Sequence, residues 1–249
     1  MFTEYLDTHD LSKLLGGPGT FQPFPRRQDR ASWDALSERK RKELIEWGNE
    51  ALAGYPMITA TQFVAYTRTG DRSVFEKAYF DRRKLLMGAT FAECLCDDGT
   101  YLDAIMDGLW LICEESTWVV SAHNDSEHQQ KHPSEKHPLP DVNRPYVDLF
   151  AAQTAATLAF VLYYMEDKLD GITPRIAQRV RQELDRRVLT PFEQHDDFWW
   201  MGMIRKDMNN WNPWILSNVM DTILLVEDHP RRRCHLTARA MRMLDSYLA

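Results

Sequence analysis

Three prolines at predicted helix starts constrain the fold of this chain more than any other feature. Pro174, Pro213 and Pro230 each open a stretch of apolar residues at helical spacing, and the first turn is where a helix tolerates proline. Together with a stretch that starts near residue 148, they predict helices over about 148–167, 174–190, 213–227 and 230–248. No stretch alternates polar and apolar residues as a half-buried strand does, so the sequence predicts an all-α fold.

Further helices are predicted in the first half of the chain, over about 32–53, 59–67, 73–95 and 100–118. Residues 1–30 are predicted to be loop, because glycine and proline interrupt them. Short turns join three pairs of helices: 73–95 with 100–118, 148–167 with 173–190, and 213–227 with 230–248. Helical hairpins in succession stack into solenoids or, if they curve and close, into toroids.

Composition excludes several classes of protein. The chain has 249 residues, with 30 Lys and Arg against 37 Asp and Glu, and this acidic balance argues against a general nucleic-acid binder. No apolar run reaches the ~18–20 residues of a membrane helix, and the N-terminus lacks the basic start of a signal peptide. The four cysteines show no framework spacing, which favours free thiols in the cytoplasm and no metal or cofactor.

Tryptophan and asparagine are concentrated near the helix that Pro213 opens. Trp199, Trp200 and Trp211 flank this segment, and Asn209, Asn210 and Asn212 directly precede the proline. Amides at a helix N-terminus lie beside backbone N–H groups that favour anions, and indole rings offer a sugar an apolar platform. Arg205 and Lys206 add positive charge. The alternative is that one asparagine only caps the helix and the tryptophans belong to the core.

This segment resembles the heparinase II/III-like group of polysaccharide lyases. The resemblance rests on Asn209-Asn210-Trp211-Asn212-Pro213-Trp214-Ile215, followed by Ser217-Asn218. It extends upstream, over most of residues 70–249, to Arg82-Arg83-Lys84-Leu85, Trp118-Val119-Val120-Ser121-Ala122-His123-Asn124 and Asp148-Leu149-Phe150-Ala151-Ala152.

The resemblance implies an N-terminal (α/α) toroid and the cleavage of uronic-acid-containing glycans by β-elimination. In that reaction the sugar carboxylate is neutralised while a base removes the adjacent proton. The resemblance implies that Asn210 and His123 take part in catalysis and that Asn210 or Asn212 binds the carboxylate. It also implies that an acidic oligosaccharide binds to a larger set of residues, namely Trp199, Trp200, Arg205, Asn209, Trp211 and Asn212.

The chain departs from the family pattern at its C-terminus. The family continues into an Asp-Glu-Gly … Tyr-Trp motif and a β-sandwich, whereas this sequence stops at Ala249. We therefore expect residues 1–249 to be a single helical domain that forms part of a toroid. We also expect it to be inactive alone and to self-associate through an open edge.

Two other kinds of function stay open, a toroidal glycoside hydrolase and a helical module that binds carbohydrate or protein. A hydrolase needs two carboxyls facing one cleft. Glu114 and Glu115 are adjacent on a predicted helix and diverge by about 100°, so they cannot act together, whereas Asp196 and Asp197 lie beside the tryptophans. Four histidines lie between residues 123 and 137. The polar residues around His128, His132 and His137 are typical of a solvated loop rather than of a metal site, whereas His123 lies at the end of an apolar helix beside Trp118.

Overall fold

The protein is all-helical. The computed structural model describes residues 1–17, 19–124, 137–204 and 209–248, and no strand occurs within these ranges. The helices are α1 (Phe2–Thr8), α2 (Leu11–Leu14), α3 (Arg30–Asp34), α4 (Glu38–Ala51), α5 (Ala60–Thr69), α6 (Ser73–Cys96), α7 (Leu102–Cys113), α8 (Leu149–Ile172), α9 (Arg175–Leu184), α10 (Thr190–Gln194), α11 (Trp211–Val226) and α12 (Pro230–Leu248). A π-helical turn, Asp185–Leu189, joins α9 to α10.

The three predicted hairpins are present, since α6 packs on α7, α8 on α9, and α11 on α12. The first helices of the hairpins also contact one another, α6 against α8 and α8 against α11, and α4 covers α6. Helix α8 is therefore the centre of the fold. Its fully buried side chains combine alanines with larger residues such as Leu158, Leu162 and Met165, so that neighbouring helices can approach it closely.

Two glycines permit the close crossing of α4 and α6. A Cβ on Gly88 would lie 2.5 Å from the Trp47 ring, and a Cβ on Gly48 would lie 2.3 Å from the Ala92 Cβ. Neither distance is compatible with a real side chain, so the two helices depend on glycine here.

Several predicted boundaries were wrong. The N-terminal region that was predicted to be loop contains α1 and α2, and the helix predicted over 32–53 is two helices, because Ser37 caps a new start at Glu38. Helix α11 begins at Trp211, two residues before Pro213, since proline is tolerated throughout the first turn.

Three further features concern membrane-spanning helices, metal ligands and cysteines. No helix in the described ranges is both long enough and apolar enough to cross a bilayer. Those ranges also contain no cluster of three potential metal ligands, and His128 and His132 lie outside them. Cys94 is buried and Cys96 is exposed, so the two thiols lie on different faces of α6.

Candidate functional site

His123 is fixed in place by the start of helix α8. It ends a short 3-10 turn, Ser121–His123, and its Nδ1 lies 2.7 Å from Oδ2 of Asp148. The other carboxylate oxygen of Asp148 caps α8, accepting the backbone N–H groups of Phe150 at 3.0 Å and Ala151 at 2.7 Å. Asp148 is fully buried, so one carboxylate both starts the central helix and orients the imidazole.

Aromatic rings enclose the imidazole of His123. It stacks on Phe150 with ring centroids 5.6 Å apart and ring planes 8° from parallel. On another side it contacts the Trp211 ring, with centroids 4.8 Å apart. The side chain keeps 16% of its surface exposed. A carboxylate at Nδ1 favours the tautomer with the proton on that nitrogen, which leaves Nε2 as a proton acceptor.

Trp211 continues the aromatic surface to Trp199, with ring centroids 4.8 Å apart. Both indoles are partly exposed. Asn209 and Asn210 precede Trp211 and are exposed at the N-terminus of α11. Oδ1 of Asn209 accepts a hydrogen bond from the backbone N–H of Trp211 at 2.9 Å, so Asn209 satisfies one backbone donor in the first turn of the helix. The structure thus brings together the rings of His123, Trp211 and Trp199, and Asn209 and Asn210 directly precede Trp211; we name these five residues the His123 cluster.

Trp200 and Asn212 lie in the core instead. Both are fully buried. Trp200 donates its indole N–H to the Val147 carbonyl at 2.7 Å, and the Asn212 amide donates to the Trp200 carbonyl at 2.9 Å. The resemblance implied that both bind substrate, but neither presents any surface to a ligand. Their role is to hold the segment before α11 against the start of α8. Arg205 lies outside the described residues.

The carboxylates considered for hydrolysis all contact basic side chains. Buried Glu115 contacts Arg83 through both of its oxygens, at 2.9 and 2.6 Å. Asp196 pairs with Arg239 at 2.6 Å, and Asp197 lies 3.0 Å from His195. Each carboxylate thus has its own basic partner, so the geometry does not favour an acid and base pair of the hydrolase kind.

Sequence reasoning missed two features near the cluster. One is the role of Asp148, which was expected only as a helix start. The other is the pair of buried arginines, Arg82 and Arg83, of which Arg83 lies 3.4 Å from the centre of the Tyr79 ring. The Tyr79 hydroxyl donates to the Trp118 carbonyl at 2.7 Å, and burial raises the pKa of this phenol well above its usual range. A buried cation pair in a helix has no sequence signal beyond two adjacent arginines inside an apolar pattern.

No protein-family model matches the chain, and a search of curated proteins finds no significant match.

Proposed function

We propose that the His123 cluster binds a uronic-acid-containing oligosaccharide and that His123 is the base of a β-elimination. On this proposal the stacked hairpins form part of an (α/α) toroid of the heparinase II/III-like kind, and the protein acts in the cytoplasm. The observation that carries the proposal is the position of the imidazole, held by a buried carboxylate on one side and lying against an indole on the other.

The chemistry requires a group that accepts the proton next to the sugar carboxylate. That proton is weakly acidic, and its removal leaves electrons that form a carbon–carbon double bond while the glycosidic C–O bond on the neighbouring carbon breaks. The leaving oxygen keeps the electrons of that bond and takes a proton from water. A neutral imidazole with Nδ1 bonded to Asp148 can take the proton at Nε2, and the carboxylate then stabilises the imidazolium. Asp148 is in this scheme a positioning residue rather than a catalytic one.

Substrate recognition falls to the aromatic rings and the amides. Trp211 and Trp199 supply an apolar surface for the face of a sugar ring. The exposed amides of Asn209 and Asn210 stand at the N-terminus of the 16-residue helix α11, where the helix dipole favours a carboxylate. Hydrogen bonds to the carboxylate from these groups lower the cost of the negative charge that develops on it.

A binding experiment tests the site. Titration with uronate oligosaccharides is expected to quench tryptophan fluorescence, and neutral oligosaccharides of equal length are expected to bind more weakly. Asn210→Ala should weaken uronate binding roughly tenfold, because it removes a hydrogen bond to a charged group. Asn143→Ala, an exposed asparagine in the loop before α8, is the matched control. Equal affinity for neutral and acidic sugars would contradict the proposal.

Product analysis separates the proposed reaction from its alternatives. A lyase leaves an unsaturated uronate that absorbs ultraviolet light, a hydrolase leaves a saturated sugar, and a binding module leaves the oligosaccharide intact. Where the product is the unsaturated uronate of a lyase, His123→Ala should abolish the absorbance increase while oligosaccharide binding persists.

A further inference from the structure

A cleft of about 410 Å³ lies beside the buried arginines, between the start of α5 and the end of α7. Small-molecule sites have volumes of roughly 300–1,000 Å³. Ile58, Phe63, Leu111 and Leu139 give the cleft largely apolar walls, and Arg82 forms part of its lining. We refer to it as the Arg82 cleft.

Arg82 carries a charge that its surroundings only partly balance. Arg83 takes both oxygens of Glu115, whereas Nη1 of Arg82 reaches one of them at the longer distance of 3.2 Å. All three side chains are at most 10% exposed. Two buried guanidiniums therefore share one carboxylate, which leaves one positive charge in excess. Glu115 itself and Glu114 also line the cleft; Glu115 is occupied by the two arginines, and Glu114 is half exposed and pairs with Arg179.

One nitrogen of Arg82 remains available to a ligand. Its Nε donates to the Pro56 carbonyl at 2.9 Å, and its Nη1 donates to the Leu111 carbonyl at 3.2 Å. Nη2 makes no hydrogen bond to any residue that the structure describes. Nη2 keeps some contact with solvent, so an anion in the cleft would replace water there and form a charge-assisted hydrogen bond.

We propose that the Arg82 cleft binds a small monocarboxylate with an apolar body, of the medium-chain fatty acid or aromatic acid type. The carboxylate would pair with Nη2 of Arg82, and its single charge equals the excess charge of the arginine pair. The apolar body would pack against Ile58, Phe63 and Leu139. A phosphate would bury additional charged oxygens against these apolar walls and is not favoured. This proposal is independent of the oligosaccharide site at His123.

Calorimetric titration of the full chain with octanoate, octanamide and inorganic phosphate tests the proposal. Octanoate should bind with a stoichiometry of one. Octanamide should bind at least tenfold more weakly, because it lacks the charge that Arg82 recognises, and phosphate should give no saturable heat. Equal affinities for octanoate and octanamide, or no binding of octanoate, would overturn the proposal.

Two pairs of variants locate the binding site. Ala60→Phe places a ring in the cleft and leaves Arg82 unchanged, so it should weaken octanoate binding at least tenfold. Its control is Ala53→Phe, at an exposed position outside the cleft, which should leave octanoate binding unchanged. Arg82→Gln should reduce octanoate affinity to that of octanamide, with exposed Arg68→Gln as the control for charge. Unchanged octanoate affinity in Ala60→Phe, or in a folded Arg82→Gln variant, would refute the site.

Discussion

Nδ1 of His123 lies 2.7 Å from Oδ2 of Asp148, and the same carboxylate caps the central helix α8. Formation of the site is thereby coupled to folding. The 3-10 turn that carries His123 cannot move away without leaving a fully buried carboxylate oxygen without its partner. The imidazole is therefore held in one orientation before any ligand arrives.

Asp148→Ala should destabilise the protein by about 2–4 kcal/mol, since it removes a helix cap and the contact with His123 together. His123→Ala should cost less, about 1–3 kcal/mol, because the two backbone N–H groups still satisfy part of the carboxylate. Urea denaturation measures both losses. Asp71→Ala, at the exposed start of α6, is the control, and a loss there as large as in Asp148→Ala would contradict the double role of Asp148.

Trp200→Phe should mainly reduce the stability of the protein, whereas Trp199→Phe should mainly change sugar binding. Trp200→Phe leaves the buried Val147 carbonyl without its indole donor and should cost about 1–3 kcal/mol of unfolding free energy. Trp199→Phe changes a partly exposed ring that contacts Trp211, so it should alter sugar binding more than stability. Thermal unfolding and fluorescence titration distinguish the two. The assignment fails if Trp199→Phe is the more destabilising substitution.

Helical spacing and proline placement were sufficient to predict the hairpins, because α6, α8, α11 and α12 each bury a long apolar face that recurs along the sequence. Helix α1 could not be predicted in this way. It has no buried residue, and its first backbone N–H groups donate to the carboxylate of Asp245, which lies 243 residues beyond Phe2 in the sequence. Only the tertiary structure reveals such a partner.

The directions of the side chains in the candidate site could not be predicted from the sequence. Trp199 and Trp200 are adjacent in a 3-10 turn, so one faces the His123 cluster and the other faces the core. A turn of three residues has no periodicity from which these directions could be read. The sequence likewise does not distinguish Asn212 from Asn210. In the structure the helix begins at Trp211, and the Asn212 side chain within its first turn is buried.

Glu115→Ala should be among the most damaging substitutions of a charged residue. It leaves the guanidiniums of Arg82 and Arg83 buried without their shared carboxylate, a situation that costs about 3–5 kcal/mol. The matched control is Glu50→Ala, which breaks an exposed pair with Lys84 of similar length, 2.9 Å, and should have little effect because solvent screens that pair. Chemical denaturation of both variants measures the difference, and equal losses would show that the arginine pair does not need Glu115.

The contact between α1 and α12 should depend on pH through Asp245. Backbone N–H groups of Phe2 and Thr3 donate to its carboxylate at 2.8 and 2.7 Å and lower its pKa to about 2, from 3.8. A lowered pKa means that the folded state favours the charged form, so the stabilisation is fully present above 3.8 and is lost as the pH falls toward 2. Hydrogen exchange at Phe2 and Thr3 should therefore accelerate progressively over that interval.

Asp245→Asn should remove this pH dependence and leave the exchange of Phe2 and Thr3 fast at neutral pH, because a neutral amide oxygen accepts these two N–H groups less strongly. Asp7→Asn, on the exposed side of α1, also removes one negative charge and should preserve the pH profile. If both variants behave alike, the loss of a negative charge rather than of the contact with Asp245 explains the effect.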